Sequence, residues 1–273
     1  MNINKKIVYI IAFVLMGVWV GNIIYYEKHV INEHLFIKHY YDVSESMDSL
    51  RLYYVESINS KDNVTSVMFP EIGQEYENFI ETDIGSSNSP YYKLKTITVN
   101  LYSGGINTLP DKYKNKLITT AEVRFSSGKI MNVNVGRLYF HSYANKNSDL
   151  KLERQSSSSD NNGGTTLYTD KDIYVTSISN RFYNEIKDIL RVSIDGKPLS
   201  DVKFPIKLKA GQTIDMTYQF KFSNKKDTRL NNAYNLVFDI STEDLQGNRG
   251  ISNCYIDFYP NSVDNINVDI LKR

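Results

Sequence analysis

Histidine is the residue type in this chain best suited to acid–base or metal chemistry, and the sequence contains four. His29, His34 and His39 follow one another at intervals of five residues. On a helix that spacing turns successive side chains by about 140°, so the three rings would not converge on one metal ion. His141 could act as a general base, but the sequence places no nucleophile beside it. We therefore predict no metal ion and no cofactor.

Two serine–lysine pairs match the letters of the S-x-x-K motif of acyl-serine enzymes, namely Ser126 with Lys129 and Ser223 with Lys226. In those enzymes the serine opens a helix and further motifs complete the site. Both pairs here fall in strand–turn patterns, and the partner motifs are missing from the sequence. The pattern therefore predicts no serine nucleophile at either position.

Cys254 is the single cysteine, so no disulfide can form within the chain. It lies in phase with Ile256 and Phe258 on a strand pattern, which predicts a small buried side chain rather than a reactive thiol. Together with the histidine and serine patterns, this leaves the sequence without a predicted catalytic residue.

The most distinctive charged feature is a group of lysines in the second half of the chain. The segments Lys203–Lys209 and Thr213–Phe222 alternate apolar and polar residues, so each is predicted to be a strand with one exposed side. If the two strands are neighbours, one exposed surface carries Lys203, Lys207, Lys209 and Lys221. Such a surface could attract an anionic wall polymer or lipid headgroups. Alternatively, the lysines only protect an edge strand from pairing with other chains.

The segment predicted to hold these residues at a membrane is an uncharged segment of 20 residues, Ile7–Tyr26. As a helix it would rise by about 30 Å, which is the thickness of a bilayer core. Lys5 and Lys6 precede it, whereas the charges of Glu27 and Lys28 cancel, so the positive-inside rule places the N-terminus in the cytoplasm. We predict an uncleaved single-pass anchor. A cleaved signal peptide and a buried helix of a soluble protein are the alternatives.

Composition favours two modest domains after the anchor, and a single large β domain is the alternative. The 273 residues carry a net charge of only +1, so the basic surplus of nucleic-acid-binding proteins is missing. The predicted organisation is a cytoplasmic tail (1–6), an anchor (7–26), a stalk (27–46), a first β-rich domain (47–143), a flexible linker (144–166), a β-sandwich (167–260) and a C-terminal tail (261–273).

The first β-rich domain is predicted from five apolar–polar alternations separated by turn residues. These strands are Leu50–Ser57, Val64–Phe69, Leu94–Tyr102, Leu117–Phe125 and Ile130–Phe140. Between the second and third, Pro70 and the spacing of Ile72, Tyr76 and Ile80 predict a helix over 70–80. In the last strand the apolar parity changes after Val135, and Gly136 is the predicted site of a β-bulge.

The linker and the second half differ sharply in apolar content. Large apolar residues are nearly missing between Ala144 and Thr166, so this segment is predicted to be flexible. At least six strands then follow at the spacing of an antiparallel sandwich. They are Ile173–Ile178, Leu190–Ile194, Lys203–Lys209, Thr213–Phe222, Tyr234–Ile240 and Ile251–Tyr259.

Part of this second half resembles the immunoglobulin-like surface domains of bacteria. The segment Asn235–Phe258 is similar to their closing hairpin, with a D-x-x-G-N turn at Asp244–Asn248. The preceding Phe204–Phe222 resembles the strand, glycine turn and alternating strand of many such sandwiches. The resemblance covers residues 171–260 and lacks the cysteine–tryptophan–cysteine framework of antibody domains. It implies a fold and an extracytoplasmic setting, and no particular activity.

We therefore expect a mainly β protein in which a single transmembrane helix precedes two antiparallel β-sandwich-like domains. The expected role is non-enzymatic binding or scaffolding in a bacterial cell envelope. Besides the membrane itself, the expected partner is another membrane protein or an anionic wall polymer, and no nucleic acid. The alternative is an enzyme that processes envelope glycans or peptides with a site of dispersed carboxylates, which would leave no sequence motif.

Overall fold

The computed structural model describes residues 5–43, 47–73, 75–84, 89–101, 111–141, 148–158, 161–224, 227–260 and 262–272. It begins with one long apolar helix, α1 (Lys5–His29). The window Val8–His29 is long and apolar enough to cross a membrane, and none of it is buried inside the protein. Phe13 and Trp19 are 78% and 72% exposed. A core helix of a soluble protein buries its apolar face, so that alternative does not fit, whereas a signal sequence would have the same properties.

The rest of the described chain is mainly β, as predicted from the sequence. The strands are β1 (Leu35–Phe36), β2 (His39–Val43), β3 (Ser49–Ser57), β4 (Val64–Met68), β5 (Phe79–Asp83), β6 (Tyr92–Asn100), β7 (Leu117–Phe125), β8 (Ile130–Phe140), β9 (Lys151–Ser158), β10 (Asn162–Tyr168), β11 (Ile173–Ser179), β12 (Leu190–Ile194), β13 (Lys197–Pro198), β14 (Ile206–Leu208), β15 (Thr213–Phe220), β16 (Ala233–Asp244) and β17 (Arg249–Phe258). Two short helices are α2 (Tyr183–Ile186) and α3 (Val268–Leu271).

Two sheets enclose a first hydrophobic core. One is an antiparallel sheet with the strand order β1-β3-β6-β5, and the other is formed by β2, β8, β7 and β4. Side chains from both sheets are buried in one cluster, including Leu52, Ile97, Val123 and Phe140. This packing follows from the alternation predicted for the same strands, because each sheet turns its apolar side inward.

A second hydrophobic core lies between a five-stranded sheet, β13-β12-β15-β10-β9, and the strands β14, β11, β16 and β17. In β15 every second side chain is buried, as the alternation of Thr213–Phe222 predicted. The long hairpin of β16 and β17 is closed by Asp244, whose Oδ1 accepts hydrogen bonds from the backbone amides of Gln246 and Asn248 at 3.0 and 2.9 Å. The turn predicted at Asp244–Asn248 is therefore confirmed.

Strand β2 connects the two cores, and this corrects the predicted stalk 27–46, of which residues 44–46 lie outside the described residues. It lies in the middle of the sheet β14-β11-β16-β2-β8-β7-β4 and runs parallel to both β16 and β8. Tyr41 and Val43 are buried in the first core, whereas Tyr40 packs on the second. A strand with a core on each side needs no apolar–polar alternation, which explains why the sequence pattern was ambiguous. The division into two domains stays a prediction, since one sheet spans both cores.

Gly136 is where β8 changes phase, as predicted. Val135 before it and Leu138 after it are both buried, so one residue has been inserted into the alternation. Gly136 has a φ of +97°, and a Cβ there would lie 2.2 Å from the carbonyl oxygen of His39. Glycine is therefore required both by its own backbone angle and by the close approach of β2.

The helix predicted over 70–80 is wrong. The segment forms a turn and then leads into β5, which pairs with β6. Gly73 has a φ of +142°, which a helix does not allow. Glu71 makes tertiary contacts instead of a helical turn, because its Oε1 accepts hydrogen bonds from the backbone amides of Thr119 and Thr120, both at 2.8 Å.

The flexible linker predicted over 144–166 is also wrong where the structure describes it, whereas 144–147 and 159–160 lie outside the described residues. β9 and β10 form a hairpin that extends the five-stranded sheet beyond β15. Backbone hydrogen bonds hold this hairpin in the sheet, so it needs few apolar side chains. A Cβ on Gly163 would lie 2.5 Å from the Ser156 carbonyl oxygen, so its glycine permits the close pairing.

The predicted C-terminal tail 261–273 is not a free tail over 262–272, and residues 261 and 273 lie outside the described residues. Val263, Ile266 and Val268 are buried in the first core, because this short segment supplies apolar side chains at close spacing. Asn231 fixes the segment: its side-chain amide donates to the Asn267 carbonyl at 3.0 Å, and its Oδ1 accepts from the Asn267 backbone amide at 2.9 Å.

Candidate functional site

A polar cleft of about 290 Å³ lies at the junction of the two cores, lined by His141, Ser179, Asn180, Arg181, Val237 and Asp239. Behind it is Asp42, a fully buried carboxylate on β2. The His141 Nε2 lies 3.0 Å from Asp42 Oδ1, and the Asn180 amide donates to Asp42 Oδ2 at 2.5 Å. The backbone amide of Val237 donates to the same Oδ2 at 3.3 Å.

This arrangement orients one imidazole by a buried carboxylate, which is a geometry that general acid–base catalysis uses. The Tyr139 ring meets His141 edge-on at 4.5 Å, and the Arg181 guanidinium lies 3.5 Å from the centroid of Tyr139. Sequence analysis singled out His141 but not Asp42 or Asn180. Asp42 is 99 positions from His141, and Asn180 is 138 positions from Asp42, so no local sequence pattern could have linked them.

Two histidines that were predicted to be stalk residues are buried structural groups instead. The His39 Nδ1 donates to the Val135 carbonyl at 2.8 Å, and its Nε2 accepts from the Tyr53 amide at 2.9 Å. The His34 ring stacks on Phe125 with 4.0 Å between centroids. Within the described residues no group of three His, Cys, Asp or Glu could hold a metal ion.

His34 belongs to a neutralised cluster of buried charges. Its Nε2 lies 3.1 Å from Glu56, which Lys93 and Lys95 approach to 2.8 and 3.3 Å. Burial acts to raise the pKa of Glu56, but hydrogen bonds from His34 and Lys93 and the charge of Lys95 outweigh it, so the pKa is lowered. A carboxylate held ionised between cations serves packing rather than proton transfer.

The four lysines of the predicted polyanion-binding face are all exposed, and they are distributed over two sheets. Lys207 lies on β14, the end strand of the larger sheet, with Lys203 and Lys209 beside it. Lys221 follows β15 in the five-stranded sheet. Both sheets bury their inner faces in the second core, so their outer faces point away from each other. The condition for a four-lysine surface is therefore not met, because β14 pairs with β11 rather than with β15.

The remaining nucleophile candidates occupy structural positions. Cys254 is buried, and this burial raises the pKa of its thiol. The hydroxyl of Ser126 donates to Asp62 at 3.0 Å, while Lys129 pairs with Glu33 at 3.4 Å, so this serine and lysine point to different partners. Of the second pair, Lys226 lies outside the described residues.

One carboxyl group has the raised pKa expected of a catalytic acid. Burial raises the pKa of Asp257. Burial is the main cause of the raised pKa values of Tyr41, Tyr53 and Tyr218, and the charge of Asp257 adds to each, so Asp257 lies among tyrosines. This surrounding fits a half-buried polar position rather than the paired acids of a glycosidase.

The end of α1 is attached directly to the β part. The His29 ring stacks on Tyr91 with 4.9 Å between centroids, and the Asn59 amide donates to the Tyr26 hydroxyl at 2.9 Å. From the C-terminus, Lys272 Nζ donates to the Lys28 carbonyl at 3.2 Å. The last turn of the helix is therefore part of the same folded unit as the first core.

No protein-family model matches the chain, and no curated protein sequence matches it. Among solved structures, the YadV chaperone is 13% identical with a TM-score of 0.24, over 81% of this chain and 98% of the chaperone. A protein of unknown function from Porphyromonas gingivalis W83 is 10% identical with a TM-score of 0.25, over 83% of this chain and 96% of that one. Fibronectin(III)-like modules of Clostridium thermocellum CbhA are 11% identical with a TM-score of 0.20, over 83% of this chain and 93% of the CbhA chain. These similarities are too low to assign a role to this chain. Its own apolar N-terminal helix and mainly β fold fit a membrane-anchored β-sandwich protein.

Proposed function

We propose that this chain is a single-pass membrane protein whose β part lies outside the cytoplasmic membrane of a bacterial cell, where it binds or scaffolds a partner without catalysis. The observation that carries the proposal is α1. Its window Val8–His29 is apolar and unburied. An exposed apolar surface of that size is stable in a lipid bilayer and would cause aggregation in water.

The orientation follows from the charges that flank α1. Lys5 and Lys6 precede the apolar segment, whereas Glu27 and Lys28 after it cancel. The positive-inside rule then places the N-terminus in the cytoplasm and the β part outside.

The contacts at the end of α1 support an anchor that is not cleaved. Tyr26 and His29 contact Asn59 and Tyr91, so removal of the helix would expose a surface that is now covered. The test is the intact mass of the protein recovered from alkali-washed membranes. We expect the full chain of 31.5 kDa. A shorter chain that starts within or after α1 and washes off the membrane would reject the anchor.

As the partner we propose an anionic wall polymer that contacts the lysines of the β14 segment. Lys203, Lys207 and Lys209 are exposed along one end of the larger sheet. The position at a sheet edge also fits the alternative reading as edge protection, so binding has to be measured.

Reversal of these three lysines to glutamate should abolish salt-sensitive binding of the full chain to anionic wall polymer. Folding should be kept, because exposed substitutions usually change stability by no more than about 0.5 kcal/mol each. The matched control is Lys221→Glu, an equally exposed lysine on the opposite sheet, which should bind as the wild type does. Wild-type protein that does not bind the polymer at low salt would shift the proposal to a protein partner.

A second candidate function is an envelope-processing enzyme, and the observation that favours it is the cleft of His141. A buried Asp42 orients the imidazole 3.0 Å away, and Ser179 lines the same cleft. Wall material should be incubated with the wild type and with His141→Gln. Hydrolysis by the wild type that the variant loses would establish the enzyme, whereas equal inactivity of both proteins would leave binding as the function.

A further inference from the structure

A second cavity, of about 660 Å³, lies where the C-terminal segment meets the end of α1. Its volume is that of a small-molecule site, for which about 300–1,000 Å³ is usual. Rings and carboxylates share its lining, which includes His29, Tyr92, Phe258, Tyr259, Asp264 and Asp269. One wall thus comes from the second core, through Phe258, and the other from the segment that packs on the first core.

The position of this cavity relative to α1 places it at the level of lipid headgroups. His29 is the last residue of α1 and forms part of the wall. It follows Tyr26 by three residues, or about 4.5 Å along a helix axis. The headgroup region extends roughly 5–7 Å beyond each side of the hydrocarbon core. With α1 in the bilayer, the His29 side of the cavity therefore lies among headgroups.

One side of the cavity has the chemistry that binds an organic cation. Asp264 and Asp269 are exposed carboxylates in the lining. The rings of Phe258 and Tyr259 offer aromatic faces, and such faces attract ammonium groups. Carboxylates beside aromatic faces form the usual environment of a bound ammonium.

Two lysines that would meet an anion lie next to the cavity, outside its lining. Lys28 is exposed in the last turn of α1. Lys272 reaches the same place from the C-terminus, since its Nζ donates to the Lys28 carbonyl and lies 5.7 Å from the Tyr92 ring centroid. The same Nζ lies 4.0 Å from Asp269, so the cationic and the anionic groups adjoin there, as the two charges of a zwitterion do. Lysines at the surface of a membrane bind lipid phosphates.

We propose that this cavity binds the headgroup of a zwitterionic phospholipid. The ammonium lies between the aromatic rings and the carboxylates of Asp264 and Asp269, and the phosphate lies beside Lys28 and Lys272. The inference rests on the proposed function, because it requires α1 to lie in the bilayer. It adds a specific lipid ligand that also joins α1, the C-terminal segment and the second core.

The test uses the full chain reconstituted into membranes that contain equal amounts of phosphatidylethanolamine and phosphatidylglycerol. The protein is extracted in mild detergent, and the lipids that stay bound are counted by native mass spectrometry. We expect at least about three bound phosphatidylethanolamine molecules for each bound phosphatidylglycerol, a ratio that corresponds to about 0.6 kcal/mol of preference. The double variant Asp264→Asn/Asp269→Asn should return the bound lipids to the bulk ratio.

The matched control is Glu153→Gln/Asp201→Asn, which removes the same charge from two exposed positions outside the cavity lining. This control should keep the wild-type enrichment. A further variant, Tyr259→Ala, removes a ring that is 46% exposed, and it should lower the enrichment without loss of the folded protein.

Three outcomes would overturn the inference. Wild-type protein in the membrane with no lipid preference would reject the headgroup site and leave the anchor intact. Enrichment that persists in the double aspartate variant would place the preference elsewhere. Free phosphoethanolamine that binds with no enrichment of the lipid would identify a soluble ligand. Protein that does not enter the membrane at all would instead reject the proposed function.

Discussion

His39 should make the stability of this protein fall steeply in mild acid. The ring is completely buried between β2, β8 and β3, and both of its nitrogens are engaged. Nδ1 donates to the Val135 carbonyl and Nε2 accepts from the Tyr53 amide, a tautomer assigned from this hydrogen-bond network. A second ring proton would point at the Tyr53 amide, which is itself a donor. The folded state therefore holds this histidine neutral.

The size of the effect follows from the change in pKa on folding. Burial lowers the pKa of His39 from 6.5 to about 4, although its hydrogen bond to Val135 opposes the change. Between these two values the unfolded chain binds a proton that the folded chain does not, so stability rises with pH in this window. At about 1.4 kcal/mol per pKa unit, roughly 3 kcal/mol of folding free energy should be lost as the pH falls from 6.5 to 4. That is a large share of the roughly 5–15 kcal/mol typical of folded proteins.

The assay is chemical unfolding of the full chain in detergent, followed by circular dichroism between pH 7.5 and 4. His39→Gln should be less stable than the wild type at neutral pH and should lose less stability in acid. The control is Ile256→Val in the second core, which should cost about 1 kcal/mol and keep the wild-type pH dependence. If His39→Gln lost as much stability in acid as the wild type, the reasoning from burial would be refuted.

Three other regions of the fold allow equally specific tests. Gly136→Ala should lower the free energy of unfolding by more than about 2 kcal/mol, because backbone strain and the contact with β2 add together. Gly211 has a φ of +83° but open space around it, so Gly211→Ala should lower it by about 1 kcal/mol. Equal losses of stability in thermal unfolding would contradict the close approach of β2 to Gly136. Cys254 should react with a thiol reagent only after denaturation, and rapid labelling of the native protein would contradict its burial. Amide hydrogens of β10 should exchange slowly because β9 and β15 pair with it on both sides, and fast exchange throughout the hairpin would restore the flexible linker.

Sequence patterns predicted those elements whose environment differs between their two sides. β15 alternates because one face meets the second core and the other meets water, and the phase change at Gly136 was visible for the same reason. β2 could not be found in this way, since both of its faces meet protein. The hairpin of β9 and β10 was missed because its pairing uses backbone groups, which every sequence carries.

The candidate sites depended on contacts that no local pattern encodes. The lysine segments follow each other closely in the chain, yet β14 and β15 belong to different sheets. Conversely, Asp42 and His141 lie 99 residues apart and meet at 3.0 Å because β2 pairs with β8. Residue type and spacing could therefore suggest which chemistry was available, whereas sheet topology decided which residues meet.

The measurement that tests the central claim most directly is protease protection of the full chain, with one epitope tag at each terminus, in wall-stripped bacteria. The membrane should shield the N-terminal tag beside Lys5 and Lys6 until the cells are opened, because those lysines lie on the cytoplasmic side. The C-terminal tag and the β part should be digested from outside intact cells. A C-terminal tag that stays protected in intact cells, or one released into the medium before protease is added, would contradict a membrane-anchored extracytoplasmic protein.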